Sequence, residues 1–259
     1  MAILKSRREI KLMRRAGRVV FTVLEELRRI AGANVTTQQL NDAAEQIIRQ
    51  ADAEPLFKGV RTPQATVPFP AAICTSINDQ VVHGIPGPTK LTEGDIISID
   101  CGVRLRGYCG DAATTIAIGR VAPETNRLLD VTKHALDIAI QEVRPGRCWS
   151  EVAAQMQDYI ESAGFSVVRD FVGHGIGREM HEEPKVPNFV DRQQRGNDIR
   201  LQPGLVLAVE PMVNAGLAKV QYADSVGWTV TTADGRPSAH FEHTLAVTAD
   251  GVEVLTDGQ

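Results

Sequence analysis

Several absences narrow the class of this protein. No run of 18 apolar residues occurs in the chain, so the sequence predicts no membrane-spanning helix. The first fifteen residues, MAILKSRREIKLMRR, carry charge from Lys5 onward and contain no apolar segment of signal-peptide length. We therefore expect a cytoplasmic protein that has no membrane partner.

Cysteines are few, and neither sign of charge dominates. The four cysteines, at positions 74, 101, 109 and 148, include no C-x-x-C pair, which argues against a zinc ribbon or a thioredoxin-like redox motif. The chain has 28 Lys and Arg against 32 Asp and Glu, a net charge of -4. No basic run interleaves with aromatic residues, so we expect no nucleic-acid ligand.

The residues that are present predict an α+β fold. The chain has 259 residues, 43% of them hydrophobic, and no composition break, which favours a single domain over residues 1–259. Apolar spacing and capping residues predict helices from Ser6 to near Gly32, from Thr36 or Thr37, from Pro123 to before Pro145, and from Ser150 to Gly164. Alternation and turn residues predict a hairpin over 95–119, strands over 165–172 and 205–213, and a hairpin joining 225–232 to 238–248. The order helix, helix, strands thus occurs twice, which indicates two similar halves that share one core.

Two acidic residues lie on the first predicted hairpin. If its turn is centred between Leu105 and Arg106, Asp100 and Asp111 lie directly opposite each other, where like charges repel. The neighbouring strand positions contain no cation, so a bound metal ion would relieve this repulsion. The alternative is that both acids are simply solvated on an exposed face of the sheet.

The second half adds three residues of the same chemistry. Glu210 interrupts the apolar run LVLAVEPMV, Glu242 lies in SAHFEHTLAV, and His174 lies between two glycines in FVGHGIG. Buried carboxylates are costly unless they are paired or bound to metal. Four carboxylates and one imidazole suit Mn(II), Fe(II), Co(II) or Zn(II), and their number favours two ions over one.

Further histidines could complete such a site. His83 in VVHGIPG and His181 in HGIGREMHEEP are candidates to donate a hydrogen bond to a carbonyl oxygen that gains charge, although either could equally be an ordinary solvated histidine. Strand alternation places His240 on the face of Glu242 and His243 on the opposite face. We expect His240 to support a metal ligand and not to bind the ion itself.

At these positions the sequence closely resembles the type I methionine aminopeptidases. Six segments match family motifs in order: VVHGIPG, SIDCGV, GYCGDAATT, GHGIGREMHEEP, AVEPM and AHFEHT. The resemblance implies the pita-bread (creatinase/aminopeptidase) fold, in which two pseudo-twofold-related halves surround a curved antiparallel sheet. It also implies two divalent ions, with Asp111 and Glu242 bridging both, Asp100 on one ion, and His174 and Glu210 on the other.

The resemblance implies a reaction as well. The expected activity removes the N-terminal methionine of nascent proteins when the next residue is small, by means of a water activated at the two ions. His181 would stabilise the oxyanion, His83 would contact the substrate, and Glu210 would take the proton of the water. The expected partners are the N-termini of nascent polypeptides and, through this role, the ribosome, and nothing in the sequence demands more than a monomer.

The methionine pocket is expected from Phe69, Cys74 and Trp228, which match family positions, although each could equally be ordinary core. Three residues depart from the family pattern: Met180 replaces a frequent aromatic, and Pro63 and Thr66 replace the Cys and Tyr of some relatives. These departures bear on the shape of the pocket and not on the chemistry.

Two other functions fit the same motifs. A proline-specific peptidase of this fold carries a sizeable domain before the catalytic one, whereas the catalytic pattern begins here almost at residue 1. A non-catalytic binding module of this fold would have lost metal ligands, whereas all five are present. We expect hydrolysis of a Met-Ala-Ser peptide, and not of an Ala-Pro peptide, to separate these functions.

Overall fold

A computed structural model describes residues 2–190 and 198–259. The described residues contain four helices: α1 (Arg7–Ile30), α2 (Thr37–Gln50), α3 (Pro123–Glu142) and α4 (Trp149–Ser162). The strands of the first half are β1 (Glu54–Pro55), β2 (Cys74–Ile77), β3 (Gln80–Val82), β4 (Ile96–Leu105) and β5 (Tyr108–Ala117). Those of the second half are β6 (Ser166–Val167), β7 (Gly173–Gly175), β8 (Glu182–Val186), β9 (Val206–Val209), β10 (Met212–Asn214), β11 (Val220–Tyr222), β12 (Val230–Thr232), β13 (Ser238–His240), β14 (His243–Val247) and β15 (Val252–Val254).

The four predicted helices are confirmed, and local chemistry explains where the first three begin. Ser6 caps α1 in a reciprocal capping box with Glu9, and Thr36 caps α2 in the same way with Gln39. Pro123 occupies the first turn of α3, where its missing N–H costs no hydrogen bond. The predicted apolar stripe of α1 is buried from Ile10 to Leu27. Its later part packs against the sheet of the first half, whereas Ile10 and Met13 also contact residues of the second half such as Val206. None of the described helices is long and apolar enough to cross a membrane.

The first hairpin forms, but with a different register from the predicted one. Its turn is centred between Arg106 and Gly107, so Asp100 pairs with Ala113 and Asp111 pairs with Gly102. Asp100 and Asp111 are therefore diagonal neighbours and not direct partners. Both turn residues have positive φ, 52° for Arg106 and 81° for Gly107, which is the geometry of a tight hairpin turn. Glycine adopts it without strain, whereas the predicted centre would have required it of Leu105.

Several strand predictions for the second half are wrong in extent. Of the predicted strand 165–172 only β6 forms, and β7 begins at Gly173. The predicted strand 205–213 is divided into β9 and β10 at Glu210 and Pro211, and Pro211 has no N–H to donate to a neighbouring strand.

The predicted hairpin between 225–232 and 238–248 is also wrong. β12 pairs with β11 and with β3 of the first half, whereas β13 pairs with β10. The carboxylate of Asp234 accepts a hydrogen bond from the Leu217 amide at 2.7 Å, and the Ser238 amide donates to the Asn78 carbonyl at 2.9 Å. At the Asp234-Gly235 turn the chain therefore passes from the sheet of β12 to that of β13, and these long-range hydrogen bonds stabilise this path.

Two larger sheets form the two halves, and their strands meet edge to edge. In the first half, β4 pairs with β5 on one side and with β1 and β2 on the other, whereas the five-stranded sheet of the second half has the order β15-β14-β9-β7-β8. Ala113 on β5 and Glu242 exchange backbone hydrogen bonds of 2.9 and 3.4 Å. The Thr244 hydroxyl donates to the Asp111 carbonyl at 2.8 Å and accepts from its amide at 3.1 Å. This junction brings the acidic residues of both halves to one place.

Close backbone contacts fix α1 against this junction. A Cβ built on Gly17 would lie 1.9 Å from the Leu255 carbonyl oxygen, and one on Gly110 would lie 2.7 Å from the Gly17 amide nitrogen. A larger residue at Gly17 would push α1 away from Leu255, and a larger residue at Gly110 would push α1 away from β5.

Candidate metal centre and active site

All ten residues predicted for the site line one cavity of about 210 Å³ between the two halves. They are Phe69, Cys74, His83, Asp100, Asp111, His174, His181, Glu210, Trp228 and Glu242. The cavity has a carboxylate-rich side and an apolar side. The structure thus brings together side chains that lie as far apart in the sequence as Phe69 and Glu242.

The two aspartates reach the cavity because they share one face of the β4–β5 hairpin. Asp100 pairs with Ala113, and Asp111 lies two residues before Ala113 on the same strand. Side chains two residues apart on a strand point to the same side. The register correction therefore leaves both carboxylates facing the cavity, as diagonal neighbours.

The second half supplies its carboxylates from breaks between strands. Glu210 lies between β9 and β10, and Glu242 lies between β13 and β14. The Nε2 of His174 on β7 is 3.6 Å from Oε1 of Glu210 and 3.9 Å from Oδ2 of Asp111. Ligand atoms of Asp111, His174 and Glu242 lie within 4.8 Å of one another, and those of Glu210, His240 and Glu242 do so too.

The carboxylates are buried without a neutralising cation. The Asp111 side chain is 5% exposed and that of Glu210 is 14% exposed. Among residues 2–190 and 198–259, the basic side chains within 4.0 Å of the carboxylate oxygens are histidines. No lysine or arginine of these residues approaches so closely.

Burial and mutual repulsion shift the protonation of this cluster. Burial raises the pKa of Asp111 to about 7. Burial first, and then repulsion from the neighbouring carboxylates, raises the pKa of Asp100, Glu210 and Glu242 well above the ordinary range. Burial lowers the pKa of His174 to about 4, so its imidazole is neutral and able to bind a metal ion.

Unpartnered atoms test whether cations fit this cluster. Among the described residues, Oδ1 of Asp100, Oδ1 of Asp111 and Oε1 of Glu242 are buried and accept no hydrogen bond. Such atoms are rare in folded proteins because each loses its hydration without compensation. Carboxylate oxygens and a neutral imidazole are ligands that divalent first-row transition metals accept. The residues present therefore fit a site for divalent cations.

The other histidines lie around this cluster. His83 has a left-handed backbone with φ of 60°, a strained conformation of the kind that clusters at functional sites. The ring of His181, which is exposed, lies 4.4 Å from that of His174, centroid to centroid.

The expected difference between His240 and His243 is also seen. Nε2 of His240 lies 3.7 Å from Oε2 of Glu210, whereas Nδ1 of His243 faces the Thr256 hydroxyl at 2.8 Å. His240 and Glu242 therefore converge on one cluster, and His243 points elsewhere.

An apolar pocket adjoins the metal ligands. The rings of Phe69 and Trp228 meet edge to face at 5.1 Å, and the indole N–H of Trp228 donates to the Val67 carbonyl at 2.8 Å. Cys74 on β2 pairs with Asp100 on β4, which places the thiol beside the carboxylates. Met180 lines the cavity as well, whereas Pro63 and Thr66 do not line it.

Sequence reasoning missed further lining residues, among them Phe57 and Phe171. Phe171 packs against the His83 ring at 5.5 Å. Phe171 lies three residues before His174 in the segment FVGHGIG, and this proximity was the sequence signal that could have indicated its place in the site. Phe57 lies between β1 and β2, in a segment that contains Pro55, Pro63, Pro68 and Pro70, where no periodicity indicates the direction of a side chain.

Comparison with known proteins identifies the family. A model of metallopeptidase family M24 matches residues 11–249. The chain belongs to metallopeptidase family M24. It is 45% identical to a methionine aminopeptidase of Clostridium perfringens over 99% of both chains. The crystal structure of a methionine aminopeptidase from Rickettsia prowazekii superposes with a TM-score of 0.93 at 39% identity, covering 99% of this chain and 100% of the other.

Solved proteins with other names share the fold. A Bacillus anthracis Xaa-Pro dipeptidase superposes with a TM-score of 0.74 at 21% identity, over all of this chain and 63% of the other. At that identity the likeness concerns the fold alone. The predicted α+β pita-bread fold is confirmed, with helix, helix and strands occurring twice around antiparallel sheets.

Proposed function

We propose that this M24 chain is a methionine aminopeptidase, a metallo-exopeptidase that removes the N-terminal methionine of nascent proteins when the second residue is small. One observation carries the proposal: buried, unpartnered carboxylate oxygens from both halves converge beside an apolar pocket. The likeness to methionine aminopeptidases along nearly the whole chain supports it.

Five side chains would hold two divalent ions, drawn from Mn(II), Fe(II), Co(II) and Zn(II): Asp100, Asp111, His174, Glu210 and Glu242. When bound, such ions acidify a water molecule and polarise a carbonyl group. Asp111 and Glu242 are the most enclosed of the carboxylates, at 4% and 2% residue exposure, so their charges would depend most strongly on a bound cation.

Residues of the chain position the substrate and move the proton. Glu210 accepts the proton of the attacking water, because its carboxylate lies in the cluster and, at 14% exposure, is less enclosed than that of Asp111. His181 at the mouth of the cavity donates a hydrogen bond to the carbonyl oxygen as negative charge develops there. His83 contacts the substrate from the wall formed with Phe171 and Trp228.

The apolar pocket selects the substrate side chain. Phe69, Cys74 and Trp228 are each at most 5% exposed and together offer an unbranched thioether a dry, polarisable surface. Met180 adds a second flexible, polarisable surface to this pocket.

The expected substrates, nascent polypeptides, determine where in the cell the reaction occurs. Nascent N-termini emerge in the cytoplasm, so the chain acts there, as a monomer and in contact with the ribosome. Apart from the contact with the ribosome, this function involves neither a membrane nor a nucleic-acid ligand.

A peptide comparison tests the proposal. We expect hydrolysis of Met-Ala-Ser, no hydrolysis of Ala-Pro, and loss of the first activity in chelator with recovery on adding Mn(II) or Co(II). Glu210→Gln removes a proton acceptor and should lower kcat by about 10²–10⁴-fold. Glu54→Gln, an exposed glutamate on β1, is the matched control and should retain full activity.

Each other result would contradict the proposal in a defined way. Cleavage of Ala-Pro in place of Met-Ala-Ser would indicate a proline-specific peptidase. Tight metal binding without hydrolysis of either peptide would indicate a binding module. Activity that persists in protein shown to be free of metal would refute the proposed mechanism.

A further inference from the structure

A buried ion pair lies beside the loop that carries His181. The Nζ of Lys5 donates to Oε2 of Glu182 at 2.6 Å and to the Ile3 carbonyl at 2.8 Å. The two charged side chains are only 4% and 10% exposed. Lysine and glutamate are rarely buried unless they are paired, so each of these charges depends on the other.

The second oxygen of Glu182 holds this loop closed. Its Oε1 accepts hydrogen bonds from the amides of Arg178 at 2.9 Å and Glu179 at 3.3 Å. The ion pair also packs on the start of the loop, since a Cβ built on Gly177 would lie 2.5 Å from both Cε of Lys5 and Oε1 of Glu182. Met180 and His181 lie within the turn that Glu182 closes.

Lys5 is itself fixed to the sheet of the second half. Its amide donates to the Gly204 carbonyl at 2.7 Å, and the Gly204 amide donates to the Val247 carbonyl at 2.9 Å. Val247 is the last residue of β14, in the same sheet as β7 with His174. A continuous set of contacts therefore links the sheet that carries His174 to the loop that carries His181.

The His181 side chain has little else to fix it. Its imidazole makes no hydrogen bond among residues 2–190 and 198–259, and its ring contact is with His174. Two further ion pairs lie on the loop, between Arg104 and Glu179 and between Arg178 and Glu9, and the loop side chains Glu179 and Arg178 are 73% and 67% exposed. Exposed pairs stabilise little. The start of the loop is held by the Cys109 amide, which donates to the Gly177 carbonyl at 2.8 Å. At the other end, next to His181, the buried side-chain contact is that of Glu182, the first residue of β8 and the partner of Gly175, so the position of His181 depends most directly on Glu182.

We propose that the Lys5–Glu182 ion pair is a positioning element for His181, which holds the loop so that the imidazole faces the cavity. This inference rests on the proposed function, in which His181 donates to the carbonyl oxygen of the substrate. In this role Lys5 affects catalysis although it lies in the N-terminal segment and does not itself line the active-site cavity.

The test is a double-mutant cycle on catalysis. Lys5→Met should lower kcat for Met-Ala-Ser by about tenfold to a hundredfold, the effect of a misplaced catalytic group. KM should change by less than about twofold, since the methionine pocket is intact. In a His181→Ala background, Lys5→Met should change kcat by less than about twofold, because its target is already absent.

Two measurements separate positioning from general damage. The affinity for Mn(II), measured by calorimetry, should be equal in the wild type and Lys5→Met, because the metal ligands are not moved. Lys58→Met removes an exposed pair of the same length, 2.6 Å to Glu45, and should leave kcat unchanged. If Lys5→Met does not fold, the variant Lys5→Met with Glu182→Gln leaves no unpaired buried charge and enters the same cycle.

The outcomes distinguish the two proposals. Wild-type kcat in a folded Lys5→Met protein would overturn the positioning role and leave the proposed function intact. A further loss of kcat in the His181→Ala background, equal to that in the wild type, would also overturn it. A wild-type protein that binds metal but does not cleave Met-Ala-Ser would refute the proposed function and this inference with it.

Discussion

Removal of the divalent ions should reveal how much the buried carboxylate of Asp111 destabilises the fold. Burial raises the pKa of this group to about 7, compared with an ordinary value of 3.8. A difference of about three units corresponds to about 4 kcal/mol of differential stability between the two protonation states. The perturbation is Asp111→Asn, which removes the charge and keeps the shape of the side chain.

The direction in which stability changes with pH follows from the number of protons that the folded and unfolded states bind. In the metal-free protein the folded state holds the Asp111 proton up to about pH 7, whereas the unfolded chain releases it near pH 3.8. The folded state therefore binds more protons in this window, and its stability falls as the pH rises through it. The free energy of unfolding of Asp111→Asn relative to the wild type should rise by about 3 kcal/mol between pH 5 and pH 8.

The assay is urea unfolding of both proteins after dialysis against a chelator, followed by far-UV circular dichroism at pH 5, 6, 7 and 8. Asp130→Asn, an exposed position on α3, is the matched control and should give a curve parallel to that of the wild type. Adding Mn(II) at pH 8 should reverse the order of stability, because the ions stabilise the folded wild type and bind Asp111→Asn more weakly.

Parallel pH curves for the wild type and Asp111→Asn would refute this reasoning. Such a result would mean that the Asp111 carboxylate is solvated or neutralised in the metal-free protein. The case for a cation site at this position would then lose its electrostatic basis.

Three further predictions concern the pocket and the junction of the halves. Trp228→Phe loses the hydrogen bond to the Val67 carbonyl and part of the ring, and should raise KM for Met-Ala-Ser roughly fivefold, equivalent to about 1 kcal/mol, with kcat little changed in steady-state assays. Thr244→Val leaves the Asp111 amide and carbonyl unpaired and should lower the free energy of unfolding by about 3 kcal/mol; an unchanged urea midpoint would contradict the junction described here. Gly17→Ala places a methyl group 1.9 Å from the Leu255 carbonyl oxygen and should cost about 2 kcal/mol or more, whereas Gly32→Ala, where the nearest atom would lie 4.0 Å away, should cost less than about 1 kcal/mol.

Local sequence signals were enough for the helices and for the residues that carry chemistry. Ser6 with Glu9 and Thr36 with Gln39 set helix starts through contacts within four residues. Glu210 stood out because a carboxylate interrupts an apolar run, and that signal needs no knowledge of its partners. The predicted members of the site all line one cavity.

Pairing between strands was not readable in the same way. The register of the first hairpin depended on whether Leu105 or Gly107 takes a left-handed conformation, and a shift of one residue in the turn centre moves every partner by two. The error left Asp100 and Asp111 on one face because side chains on a strand alternate with a period of two. Alternation could not correct the predicted hairpin between β12 and β13. The two strands do not pair with each other, because each pairs with a strand distant in the sequence.

The sequence by itself therefore determined which elements form helices and which side chains can bind metal ions, because capping, periodicity and misplaced charge act over a few residues. The tertiary structure decided that β5 meets the segment of Glu242, that the four carboxylates are buried together, and that Lys5 reaches Glu182. These contacts join residues up to 177 positions apart. Their formation depends on which surfaces exclude water together when the whole chain packs, and no local pattern records that outcome.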